Sequence, residues 1–198
     1  FFLDRNINQS NPSGVAALAF DDLLIRADDN KTNAEIETLI VPVRFADFDQ
    51  GMIETLLTPY IRAHNVDMVI TISMGRDDFD LERFPGLRRS AKAPGNLNVY
   101  TGASAQSPLI PKLGAKPLNG PEFVEFSLPA AAMQQAPGPF KIHDNRIVTT
   151  ITAKETKQKF AAKSLAELTG QIAVEGGGGG YLSNEISYRS IRLRNLYH

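Results

Sequence analysis

Few residues in this 198-residue chain can act as catalysts, because it has three histidines and no cysteine. The lack of cysteine excludes a thiol nucleophile, a disulfide framework and a thiolate metal site within these residues. His64 ends a predicted helix, His143 lies at a predicted hairpin turn and His198 is the last residue. None is placed as an obvious general base, so the remaining candidates for acid–base chemistry are Asp, Glu and Lys residues.

Two segments invite a metal or phosphate interpretation. Asp77, Asp78, Asp80 and Glu82 form an acidic group without the glycine and spacing of a calcium loop, which favours a solvated turn for the three aspartates. Five glycines at 176–180 precede a predicted helix and suit either a phosphate nest or a close-packed turn. No Lys, Ser or Thr stands where a nucleotide loop needs it, so we predict no metal and no cofactor.

The composition also limits the partners. Lys and Arg number 21 against 22 Asp and Glu, and this balance argues against a nucleic-acid partner. No stretch approaches the ~18 consecutive apolar residues of a membrane span, so we predict no membrane insertion. The chain opens on Phe1-Phe2 without Met or an apolar leader, which leaves the compartment open. The oligomeric state is open as well.

Hydrophobic periodicity predicts the elements that must position these residues. The first half is predicted to contain a helix over 15–27, a strand over 35–45, a helix over 47–64 and a buried strand over 66–73. Strand, helix and strand at this spacing make a βαβ unit, which implies parallel pairing.

The second half is predicted to alternate short helices and strands. The expected elements are a helix over 130–135, a hairpin over 140–152 turning at Asp144-Asn145, a helix over 161–168, a strand over 170–174 and a helix over 181–197. Arg189, Arg192 and Arg194 are assigned to the C-terminal end of this last helix, where its dipole favours cations. We therefore expect one α/β domain over 1–198, an αβα sandwich with a twisted, mixed, largely parallel sheet.

Four short segments follow one another along the chain. They are Asn11-Pro12-Ser13, residues 41–45, residues 75–96 with Glu82-Arg83 inside them, and residues 180–184. In this order the chain resembles the pyroglutamyl peptidase I (pyrrolidone-carboxylate peptidase) family of α/β cysteine peptidases, which remove an N-terminal pyroglutamate. The resemblance implies a peptide or pyroglutamyl-type small ligand and a cytoplasmic location, with export left open.

The resemblance also implies roles for particular residues. Glu82 matches the catalytic glutamate, Ser183 stands where the family has its nucleophilic cysteine, and Lys92 replaces an arginine near the reacting carbonyl. The pocket for the pyroglutamyl ring would be lined by Phe2, Asn11 and Phe45. We expect these residues to share one cavity, with Ser183 and Glu82 less than ~15 Å apart.

Serine at position 183 leaves two functions open. A serine hydroxyl is far less acidic than a thiol, and a helix dipole contributes only ~0.3–2 kcal/mol, so Ser183 needs an aligned base to act as a nucleophile. One hypothesis is a pyroglutamyl-peptidase-like hydrolase that uses Ser183, with activity reduced or lost because this serine, natural or engineered, replaces the thiol. The other is a non-catalytic relative that binds a peptide terminus or small lactam without cleaving it. A helix N-cap is the structural alternative for Ser183 itself.

Overall fold

The computed structural model describes residues 12–26, 29–74, 78–152 and 156–198. Its helices are Pro12–Phe20 (α1), Phe45–Asp49 (α2), Met52–Arg62 (α3), Ala130–Gln134 (α4) and Leu182–Tyr197 (α5). Its strands are Leu23–Arg26 (β1), Asn33–Ile36 (β2), Phe79–Glu82 (β3), Lys112–Leu113 (β4), Lys116–Pro117 (β5), Ile142–Asn145 (β6), Ile147–Ile151 (β7), Lys157–Ala161 (β8) and Ile172–Glu175 (β9).

The strands form small separate sheets. In the described residues, β1–β2 and β4–β5 are antiparallel pairs, β3–β6 is a parallel pair, and β8–β7–β9 is an antiparallel sheet. The α/β class is therefore confirmed. The sheets are smaller and less parallel than the single sheet predicted, and the assignment of 1–198 to one domain stays a prediction.

The predicted first helix and first strand are both shorter than expected. The helix ends at Phe20, because Asp22 adopts a left-handed conformation with φ 56°. The Asp21 carboxylate accepts hydrogen bonds from the backbone N–H and the hydroxyl of Thr38, at 3.0 and 2.6 Å. This contact closes the β1–β2 hairpin, so the strand predicted over 35–45 is confined to β2 and ends at Ile36.

The helix predicted over 47–64 is present as two helices. Gly51 has φ 85°, which breaks the helical path between α2 and α3. Pro59 lies inside α3 without ending it. The broad apolar face that predicted this segment buries Ile53 and Ile61.

The strand predicted over 66–73 is wrong. Residues 63–74 contain no strand, and alternate apolar side chains there are 49–60% exposed, namely Met68, Ile70, Ile72 and Met74. An apolar alternation indicates a strand only where a neighbouring strand supplies hydrogen bonds, and the described residues supply none here. The predicted βαβ unit is therefore absent.

The hairpin predicted over 140–152 is also wrong. β6 and β7 are consecutive but pair with different neighbours, β6 with β3 and β7 with β8 and β9. The Asn145 side chain accepts the N–H of Ile147 at 3.1 Å and so turns the chain from one sheet to the other. The helix predicted over 161–168 is reduced to a 3-10 turn, Leu165–Leu168, whereas α4, β9 and α5 confirm their predictions.

Helix α5 joins two of the three apolar clusters of the core. Leu182 packs with Phe45, Phe48 and Ile53, and Tyr188 belongs to the cluster of Leu87, Leu118 and Val124. The third cluster lies on the β8–β7–β9 sheet and contains Phe84, Phe123, Val148, Ala162, Leu168 and Ala173. The position of α5 therefore depends on both of the clusters it enters.

An ion-pair network fixes α5 against α3. Arg189 is completely buried and donates to Glu185 at 2.8 Å, to Glu54 of α3 at 2.8 and 3.0 Å, and to the carbonyl of Lys112 at 2.7 Å. The prediction that Arg189 lies at the C-terminal end of the helix and serves its dipole is wrong, because Arg189 is in the middle of α5. A charge in this position must be paired, because removing an ion from water costs several kcal/mol.

Arg89 extends the same network to a third segment. Its guanidinium donates to Glu185 at 2.6 and 2.9 Å and to Asp49 of α2 at 3.1 Å, and it lies 5.0 Å from the ring centroid of Phe45. We call Arg89, Arg189, Asp49, Glu54 and Glu185 the buried ion network. It ties α2, α3, α5 and the segment after β3 together.

Replacing Arg189 with Met tests this network. The change leaves Glu185 and Glu54 with fewer partners in a buried site, so the free energy of unfolding should fall by about 3–5 kcal/mol. Urea denaturation measures the loss. Arg194→Met is the matched control, because the hydrogen bonds of Arg194 on the same helix are exposed, and it should cost less than about 1 kcal/mol. Equal losses in the two variants would contradict the role given to the network.

Candidate functional site

Glu82 is the last residue of β3 and faces the glycine run. Its Oε2 accepts a hydrogen bond from the Ser187 hydroxyl at 3.2 Å, and a Cβ at position 178 would overlap its carboxyl group. Burial raises the pKa of Glu82 to about 7; the Ser187 hydrogen bond opposes this rise, and the charge of Asp80 adds to it. Glu82 therefore changes its protonation state near neutral pH.

The glycine run, residues 176–180, packs directly on the chain around Glu82. Gly177 donates its N–H to the carbonyl of Phe84 at 3.1 Å, and its own carbonyl accepts the Asn145 side chain at 2.9 Å. A Cβ at position 180 would overlap the hydroxyl of Ser90. Four of the five glycines, all but Gly179, are thus required for close approach, as one of the two sequence interpretations held.

Ser183 lies beside Glu82, as predicted. Gly178 and Ser187, which contact Glu82, also contact Ser183. The Ser183 hydroxyl donates to the carbonyl of Gly178 at 3.3 Å, and the Ser187 hydroxyl lies 3.3 Å from the carbonyl oxygen of Ser183. The N-cap of α5 is Tyr181, so the hypothesis that Ser183 caps the helix is wrong. The proximity is confirmed, whereas the catalytic roles of Ser183 and Glu82 stay predictions.

No histidine among the described residues accepts the proton of the Ser183 hydroxyl. The rings of His64 and His198 contact each other at 4.8 Å, and His198 is about 22 Å along the helix from Ser183. His143 is exposed and bonds to Asp78 at 3.1 Å. The proton of the Ser183 hydroxyl instead points to a backbone carbonyl, which is not a base.

The other predicted site residues do not join Glu82 and Ser183. Lys92 is exposed and lines a cavity of about 350 Å³ whose walls include neither Glu82 nor Ser183. Phe45 is only 5% exposed and packs edge-on against Tyr181 at 5.6 Å, so it is a core residue and cannot line an open pocket. Phe2 and Asn11 lie outside the described residues.

Two residues of the site were missed in the sequence. Ser187 bonds to Glu82 and, at 2.9 Å, to the hydroxyl of Thr71. Because Ser187 follows Ser183 by four residues on a predicted helix, its position on the same face was available from the helical repeat. Thr71 gave no such signal, since its segment was assigned to a strand.

Asn184 has a structural role next to the site. It is buried and bonds to Gly86 twice, accepting its N–H at 2.9 Å and donating to its carbonyl at 2.7 Å. This clamp holds the first turn of α5 on the segment that follows Glu82.

The described residues contain no group of three or more side chains arranged to hold a metal ion. Among them, no helix is both long and apolar enough to cross a bilayer.

These elements define a mixed α/β fold with a glycine-lined carboxyl site. The family model described as "PA0049, C-terminal domain" matches residues 3–125. The chain therefore belongs to the PA0049 C-terminal domain family. It is 35% identical over 108 residues to "Uncharacterized protein PA0049" of Pseudomonas aeruginosa, an alignment that covers 53% of this chain and 19% of that relative. The chain thus spans about a fifth of the relative's length. No solved structure matches it.

The resemblance to the pyroglutamyl peptidase I family is wrong. The family match to the PA0049 C-terminal domain covers residues 3–125, which include three of the four segments that suggested the peptidase. Those segments are short and rich in residues typical of turns and helix starts, such as Asn-Pro-Ser and Ala-Pro-Gly-Asn. Such residues recur in unrelated folds for conformational reasons, so their order was a weak guide to ancestry.

Replacing Glu82 with Gln tests the electrostatics of the site. The folded-state pKa of about 7 lies above the ordinary 4.5, so the folded state binds the proton more tightly than the unfolded state does. Stability from this group is complete below pH ~4.5 and is lost as the pH rises through 7. The wild type should therefore lose up to about 3 kcal/mol between these pH values relative to Glu82→Gln.

Chemical denaturation at a series of pH values measures this difference. Glu37→Gln is the control, because Glu37 is exposed, and it should follow the wild-type pH curve. If Glu82→Gln also follows that curve, the carboxyl is not buried in solution as described.

Proposed function

We propose that this domain binds a small carboxylate ligand, such as the C-terminal end of a peptide, in the cavity at Lys92, and does not hydrolyse it. The observation that carries the proposal is an ammonium group in a cavity that also presents two hydroxyl donors. The cavity has a volume of about 350 Å³ and is lined by Ala91, Lys92, Tyr100, Thr101, Gly102, Ala103 and Ser104.

The polar groups of the cavity favour an anion. Thr101 Oγ1 accepts the N–H of Ala103 at 3.1 Å, and Ser104 Oγ accepts the N–H of Ser107 at 3.1 Å. Each hydroxyl proton is thus directed away from these backbone amides. Within the described chain, the Lys92 ammonium forms no ion pair, so a carboxylate would supply its missing partner.

The remaining lining suits an apolar group attached to the carboxylate. Tyr100 is 65% exposed, and Ala91 and Ala103 add methyl groups to the cavity. A pocket that combines apolar walls with a few convergent polar groups is the usual form of a small-molecule site. The peptide terminus considered from the sequence fits this description, and the pyroglutamyl ring has no separate support.

Binding without hydrolysis is favoured by the position of Ser183. The carbonyl of Gly180 accepts hydrogen bonds from Ser90 and Ala91 at 2.9 and 3.1 Å, so the end of the glycine run contacts the chain that leads into the Lys92 cavity, but neither Glu82 nor Ser183 lines that cavity. A ligand held there would therefore not be in contact with the Ser183 hydroxyl, which donates to the carbonyl of Gly178. A hydrolase would need these groups to converge on one carbonyl.

Lys92→Met tests the proposal with an N-acetylated amino acid as the ligand. Calorimetric titration should show binding of the free acid, and the variant should weaken it about tenfold, the loss of one charge-assisted hydrogen bond. The matched control is Lys116→Met, because Lys116 is an exposed lysine on β5 and should leave the affinity unchanged.

Two comparison ligands sharpen this experiment. The C-terminal amide of the same compound and a neutral lactam of similar size should both bind at least tenfold more weakly than the acid. Equal affinity for acid, amide and lactam would contradict the proposal, as would cleavage of an amide substrate that is abolished by Ser183→Ala.

A further inference from the structure

Strand β8 is the open edge of the three-stranded sheet. The sheet order is β8–β7–β9, with β7 in the centre. The opposite edge is partly covered, because Ala173 of β9 donates its N–H to the Glu122 carboxylate at 2.9 Å. In the described part of the chain, no strand pairs with the outer side of β8.

The register shows which backbone groups face outward. Ala162 donates to the carbonyl of Arg146 at 3.0 Å, and Thr152 donates to the carbonyl of Thr156 at 3.1 Å. Even-numbered residues along β8 are therefore bonded to β7, and the direction alternates from one residue to the next in an antiparallel ladder. The N–H and C=O groups of Lys157, Lys159 and Ala161 consequently point away from the sheet.

A groove of about 560 Å³ lies at this strand. It is lined by Gln158, Lys159, Phe160, Glu167 and Gln171. Phe160 packs with one face on the core cluster of the sheet and contributes apolar surface to the groove. The groove thus offers an extended segment both a strand edge and a place for side chains.

The charge of this edge is positive. Lys157, Lys159 and Lys163 lie on or just after β8, and none forms an ion pair within the described residues. Among the described residues, Glu167 is the carboxylate that faces them, and its Oε2 already accepts the N–H of Lys163 at 2.6 Å. An acidic partner is therefore attracted to this edge, and a second copy of β8 is repelled because its lysines would oppose these.

We propose that the β8 edge binds an acidic, extended segment of another protein by strand addition. The added strand pairs with the outward N–H and C=O groups of Lys157, Lys159 and Ala161. Acidic residues at every second position of that strand face the lysines. This site is independent of the Lys92 cavity and lies beyond residues 3–125, the part that matches the family model.

The probe is an acetylated and amidated peptide, Glu-Val-Glu-Thr-Glu-Val-Glu, and its Lys-for-Glu counterpart is the control peptide. NMR titration and amide exchange of the domain report both affinity and geometry. The acidic peptide should bind, and the amides of Lys157, Lys159 and Ala161 should exchange at least tenfold more slowly in its presence. Binding should weaken as salt is added.

Two variants separate the charge from the backbone contribution. Lys159→Glu should weaken binding at least tenfold, whereas Lys116→Glu, at an exposed lysine on β5, should not change it. Ala161→Pro removes one outward N–H without removing a bond to β7, and it should also weaken binding while the far-UV spectrum stays unchanged.

Three results would overturn the proposal. The first is equal binding of the acidic and basic peptides, and the second is binding without slower exchange of the three amides. The third is concentration-dependent association of the domain through β8, which sedimentation detects and which would make a second copy the occupant.

Discussion

The buried ion network is the constraint on which the rest of the structure depends. The Glu185 carboxylate lies between the guanidinium groups of Arg89 and Arg189, with contacts of 2.6–2.9 Å. Because ions out of water are stable only when paired, a displacement of α5 by one residue would leave charges without partners. The network thus sets the register of α5 against α3. Since α5 follows the glycine run, the network also sets the positions of Ser183 and Ser187 relative to Glu82.

Glu185 of α5 and Glu82, which contacts α5, have different hydrogen-bond partners, and this difference decides their roles. Glu185 has two arginines within hydrogen-bond distance, whereas Glu82 has one hydroxyl, that of Ser187, and the nearby negative charge of Asp80. Burial of a carboxyl without a cation favours its neutral form, which raises the pKa of Glu82 to about 7. The same helix therefore carries a structural ion pair on one side and contacts a protonatable group on the other.

The sequence predicted the local elements better than their pairing. The apolar periodicity of α3 and α5 and the short apolar run of β9 were sufficient to predict these three elements, because each pattern lies within one element. The parallel β3–β6 pair joins segments about 60 residues apart, and no local pattern encodes such a pairing. The proximity of Ser183 and Glu82 was predicted correctly, although the family resemblance that suggested it was wrong. The burial of Arg189, in the middle of α5, was missed because arginine side chains normally face water.

The glycine run also links the site to the dynamics of the domain. Glycine loses more backbone freedom on ordering than any other residue, so a run of five is costly to hold in a single shape. Its order is supplied by neighbours, through Gly177 to Phe84 and Gly180 to Ser90 and Ala91. These contacts hold the run only while the segment after β3 stays in place, so the run and the chain around Glu82 are expected to open together. A ligand in the adjacent cavity, which Ala91 lines, would help to hold Gly180 and would thereby slow that opening.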